Sequence, residues 1–170
     1  MASEHGVIEL VAAARVTAKA SEDRISEVQQ LVDAGQETDA HVENLRAATI
    51  ALELAAVDLF STFEARMQHH FRRGPFARKL VTMLRDAGQN ELADKFHQYY
   101  LAINVLKHGK GASHRELLNM PNPLFDVKPA LDSVADAATQ QAGLVDVTAQ
   151  GFFDRLSGTI LEAYQFLENK

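Results

Sequence analysis

Within AINVLKHGKG, residues 102–111, an Asn, a Lys and a His fall inside five positions, and two glycines follow one residue apart. On a helix, Asn104 and His108 lie one turn apart on the same face. An imidazole placed there can move protons near neutral pH. Lys107 and Lys110 flank it with positive charge, which suits an anionic ligand. Gly109 and Gly111 allow a sharp turn and a close approach of ligand or partner backbone. The same residues also read as a plain helix stop, since a His in the last turn followed by Gly is a favourable helix end by itself.

A second polar cluster is FEARMQHHF, residues 63–71, with Glu64, Arg66, Gln68, His69 and His70. Glu64 with His69 or His70, and His108 or His114 from downstream, could be drawn into a metal reading. No HExxH or similar spacing supports it, so no metal and no cofactor is expected. The cluster reads instead as a polar helix end near His108, with Arg66 and His70 as candidate substrate contacts. Arg115, just past the glycines, is another. Tyr99 and Tyr100 could stack on bases, but Tyr99 falls in an apolar seam, where packing explains it better. No Gly-rich phosphate loop, Ser-His-Asp pattern or paired-carboxylate motif stands out.

The elements that must position these residues are helices. Val7, Val11, Ala14, Ala18, Ser21, Ile25, Val28 and Val32 recur at spacings of four and three, one stripe of a helix from about His5 to Asp33. Gly35 stops it. Val42, Leu45, Thr49, Leu52, Ala56, Leu59 and Phe63 continue the rhythm in a second helix, from about Thr38 to Phe71. The short link between them predicts an antiparallel hairpin. Pro75 opens a third helix that Gly88 closes. Asn90 is placed to cap a fourth, which ends at His108 or Gly109 and carries Leu92, Phe96, Tyr99, Ile103 and Leu106 as its seam. SHRE, residues 113–116, has the form of a capping box opening one short helix. From about 119 to 146 the pattern lapses, with Pro121, Pro123 and Pro129 and two echoing snippets, LFDV and LVDV, expected as paired extended segments. A last helix is expected from about Thr148 to Glu168. The predicted fold is all-α: one domain over 1–170, a bundle of about five main helices built on a long hairpin, with an irregular loop excursion.

Composition sets the remaining bounds. The chain has 170 residues and no cysteine, which excludes disulfides and thiolate metal sites. No signal peptide and no apolar run long enough to span a bilayer is evident, so a cytoplasmic protein without membrane contact is expected. The net charge of −6 hides an asymmetry: residues 65–115 hold ten Lys and Arg against three acids, a balance of +7, and the rest carries −13. Such a block is a candidate anion-binding face, or a set of solvated helix faces.

INVLKHG, residues 103–109, resembles the motif of HEPN domains, all-α bundles marked by Arg, a polar residue, a few residues and then His near a helix end. Asn104 matches the polar position, Leu106 the apolar one, His108 the histidine and Gly109 the glycine; Ile103 stands where the family has Arg. The resemblance extends loosely over the whole chain through the long hairpin before the motif and the final helix after it. It implies a homodimer, RNA as ligand, and a metal-independent endoribonuclease in which His108, with Asn104, assists attack of the RNA 2′-hydroxyl on the adjacent phosphate. The setting would be a toxin–antitoxin or phage-defence system, with an antitoxin or regulatory protein as partner. Ile103 cannot supply the charge that the Arg supplies. Three readings therefore stand: an RNA-binding protein or weak ribonuclease of this type, a catalytically inactive dimeric binding or regulatory module, and an unrelated bundle with a helix stop.

Overall fold

Two long helices, each tied off by a defined cap, set the architecture. The computed structural model describes residues 2–129 and 143–170. Helix α1 spans Ala2–Asp33 and α2 spans Asp39–Met67. At about 1.5 Å per residue they reach roughly 48 and 44 Å. Between them Gly35 takes a left-handed φ of 78°. The Gln36 N–H donates to Leu31 and the Gly35 N–H to Val32, a Schellman closure that satisfies the last carbonyls of α1. Thr38 then caps α2, its hydroxyl accepting from the His41 N–H at 3.2 Å. The result is the expected antiparallel hairpin.

Helix α2 stops at Met67, four residues earlier than the apolar pattern indicates, and tightens into a 3₁₀ turn over Gln68–His70. After Pro75, extended at the N-cap rather than inside the first turn, α3 runs Phe76–Asp86. Gly88 closes it with a second Schellman turn. Helix α4 spans Asn90–His108, α5 spans Ala112–Leu118 and α6 spans Phe152–Glu168. The described chain is thus an all-α bundle. Its one β feature is an antiparallel bridge between Val127 and Val145, which joins the two echoing snippets as expected. Residues 130–142, in the middle of the expected loop excursion, lie outside the described residues.

The core has two aromatic centres. Phe60, Phe63, Phe76 and Phe96 join α2, α3 and α4, with Phe60 and Phe96 centroids 5.3 Å apart. Tyr99, Phe125 and Phe152 join α4, the 119–129 segment and α6 at 5.4–5.7 Å. Such ring pairs favour tilted or edge-on packing, as here. The bundle covers only part of the hairpin. In residues 19–47 Val28 alone is fully buried, and Val42, expected in the stripe, is exposed. No described helix is long and apolar enough to cross a membrane.

Three expected helix starts differ. Gln89, not Asn90, is the N-cap of α4, and no side chain caps it. Ser113 is not a cap either: the N-cap of α5 is Gly111, and Ser113 lies inside the helix. Helix α6 starts at Phe152, because Asp146 captures Thr148 instead. Both the Thr148 N–H and its hydroxyl donate to one Asp146 carboxylate oxygen, at 2.9 and 2.6 Å, holding the chain in a turn until Gly151.

Candidate functional site

Short helix α5 folds back along the C-terminal half of α4, and two side-chain bridges hold it there. Asn104 donates its amide N–H to the Ser113 hydroxyl at 3.3 Å. Toward the other end, His97 Nε2 lies 2.8 Å from a Glu116 carboxylate oxygen. The two residues of the apparent capping box are therefore spent on α4, across the turn. That turn needs Gly109, whose φ of 71° and ψ of −141° suit glycine, and whose N–H donates to Val105 at 2.7 Å. Gly111 is extended, at φ 176°, with open space around the position of a Cβ.

At this end of α4 the motif residues divide. Ile103 is 1% exposed and belongs to the core. Asn104 is half-buried, and His108, the last residue of the helix, is exposed. Among the described residues no hydrogen bond or ion pair reaches the His108 ring. Lys107 is exposed, and its ammonium acts on Glu64 of α2. Burial pushes the Glu64 carboxyl above the usual carboxylate range, and Lys107 draws it partly back. Lys110 and Arg115 are exposed on the turn and on α5. Asn104, Lys107, His108, Lys110 and Arg115 thus share the α4–α5 corner.

Arg66 and His70 have partners elsewhere. The Arg66 guanidinium donates to the Gly6 carbonyl and pins the start of α1 to the end of α2. His70 stacks on His69, with centroids 4.3 Å apart, and sits 3.8 Å from Glu168 at the end of α6. No hydrogen bond or ion pair among the described residues joins either of them to His108. His114, a ligand in the metal reading, is 2% exposed and its Nε2–H donates to the Lys128 carbonyl at 2.7 Å. Tyr99 is also in the core, its phenol pushed up to about 12 by burial.

Three cations of the basic block are engaged with partners. Arg85 pairs with Asp94 at 2.8 Å, Lys95 with Glu162 at 4.0 Å, and Arg66 with the Gly6 carbonyl. The other cations of the block lie at the α4–α5 corner and on α3 with the loop before it, the latter being Arg72, Arg73, Arg78 and Lys79.

One polar site has no counterpart in the sequence reading. Arg85, Asp94, His97, Gln98, Met120 and Asn122 line a cavity of about 310 Å³. Glu116 backs the His97 imidazole, an arrangement that orients the ring. His97 and Glu116 are 19 residues apart in no recognisable motif, so only the fold of α5 on α4 brings them together. In comparisons with protein-family models, curated proteins and solved structures, nothing matches this chain.

Proposed function

We propose that this chain is a HEPN-like RNA-binding module whose histidine motif has lost the cation that efficient cleavage requires. The observation that carries the reading is the burial of Ile103 at 1% exposure. The position where the family has Arg is a packing position in this bundle, and a guanidinium there would be desolvated. What the α4–α5 corner offers instead is an exposed imidazole among Lys107, Lys110 and Arg115. That suits phosphate contacts without base readout. A second copy of the chain and an antitoxin or other regulatory protein are the partners this reading implies.

The second reading, a weak metal-independent endoribonuclease, is favoured by the exposed His108 ring. Such a ring could pass a proton to or from an RNA 2′-hydroxyl and the leaving oxygen. Fluorescence anisotropy with a short single-stranded RNA across a salt series tests the first. Binding should weaken as salt rises, with a log–log slope of about −0.7 per phosphate contact. Lys107→Ala with Lys110→Ala should flatten that slope by roughly one to two contacts. In EDTA, the wild type should leave the RNA intact. Cleavage yielding cyclic-phosphate ends and abolished in His108→Ala would move the conclusion to the weak nuclease. Absence of binding at low salt would leave the regulatory module without RNA, or the helix stop.

A further inference from the structure

Between α4 and α6 the bundle leaves a cavity of about 280 Å³. Lys95 and Tyr99 line it from α4, Arg155, Gly158 and Glu162 from α6, and Leu124 from the segment after α5. Tyr99 is 1% exposed, so its hydroxyl has lost bulk water. Among the described residues no hydrogen bond reaches that hydroxyl. The Ser61 and Ser157 hydroxyls are sealed without a partner, whereas that of Tyr99 opens onto the cavity. A buried phenol without an acceptor has given up its bond to water for nothing. Burial pushes its pKa up to about 12, so the proton stays on and the group is a donor in search of an acceptor.

The charges around it are two cations and one acid. Arg155 donates to the Leu124 and Gln150 carbonyls at 3.3 and 3.1 Å, and its charge is still felt at the Tyr99 phenol. Lys95 stands 4.0 Å from Glu162, a loose pair between half-exposed side chains that a closer carboxylate can displace. Two cations against one acid leave a balance of +1, which a single negative charge neutralises. Gly158 interrupts α6 where Ala would favour the helix, and a Cβ built there meets nothing within 4 Å. The glycine thus leaves room on the cavity wall. A volume at the low end of ligand pockets takes a molecule of a few heavy atoms, not a nucleotide or a peptide.

We propose that this cavity binds a small organic monocarboxylate, with the Tyr99 hydroxyl donating to one carboxylate oxygen, the Lys95 ammonium facing the other, and the carbon chain against Leu124 and Gly158. The ligand supplies the acceptor that the phenol lacks and the charge that the two cations outnumber. The proposal uses no residue of the His108 corner and stands apart from the RNA reading.

Sodium butyrate is the probe, with butyramide as its uncharged counterpart and alanine as a zwitterion. In an amide NMR titration, butyrate should shift Gly158 and Thr159 with a dissociation constant on the order of 1 mM. Butyramide and alanine should bind about tenfold more weakly or worse. Tyr99→Phe should weaken butyrate about tenfold. It should also raise the thermal midpoint of the ligand-free protein, because it removes an unpaired buried donor. Lys95→Met should weaken butyrate by a similar factor, and Glu162→Gln should tighten it by removing the competing carboxylate. Gly158→Leu should fill the room and block binding while α6 stays folded. No saturable shift up to about 20 mM, equal binding of butyramide, or wild-type affinity in Tyr99→Phe would each overturn the proposal. Tighter binding of alanine, weakened by Glu162→Gln, would overturn it in favour of an amino acid. A lowered ligand-free midpoint in Tyr99→Phe would sink it too, since the hydroxyl would then already be held by an ordered water. RNA binding should be the same in Tyr99→Phe as in the wild type, so the two proposals fail separately.

Discussion

Glu53 shows how a single side chain on α2 records its surroundings. Burial pushes its carboxyl above the ordinary value of 4.5, and the Gly143 N–H offsets part of that. The folded state therefore holds the proton more tightly than the unfolded chain. Stability from this group is fullest below the unfolded pKa and is lost as pH rises through the folded one. Glu53→Gln keeps an acceptor for the Gly143 N–H and removes the buried charge. It should raise the urea midpoint at pH 7, with the gain vanishing below about pH 4. A midpoint lowered at pH 7 would mean that the ionised carboxylate makes a contact worth more than its desolvation. At this scale the sequence was legible where periodicity decides. Ile103 and Tyr99 fall in the core as their stripe requires. It was illegible where a distant partner outbids a local rule: Ser113 and Glu116 have capping-box spacing, yet Asn104 and His97 take them. The His97 cavity was illegible for the same reason.

Between residue and fold, the α4–α5 turn separates two glycines that look alike in sequence. Gly109 occupies a backbone region that costs a side chain about 1–3 kcal/mol, and Gly111 does not. Gly109→Ala should lower stability by that order, measured by urea denaturation. Gly111→Ala should stay within about 0.5 kcal/mol of the wild type. Equal losses would mean that both positions, and not one, force the turn. Ile103→Arg belongs here too, since α4 packs through that position: it should cost about 3 kcal/mol or more, which a thermal melt would read as a markedly lower midpoint. Helix existence followed from the spacing of apolar residues. Helix starts did not, because Asp146 and Gly151 decide where α6 begins, and their effect depends on the turn they build.

At the scale of the whole molecule, the hairpin was legible and its partial cover was not. A stripe at spacings of four and three reports which face of a helix would be buried, not whether anything arrives to bury it. The stripe runs unbroken from Val7 to Val32, but the bundle meets only its first half. Uneven cover makes the protein uneven in time as well as in space. Backbone amides of the aromatic core on α2, from Leu52 to Phe63, should exchange with solvent deuterium only when the whole chain unfolds. In dilute solution those near Val28 and Leu45 should exchange far sooner, through openings confined to the outer turns, with Gly35 and Gln36 at the pivot. Mass spectrometry of the peptides would read this as a gradient running the length of one helix.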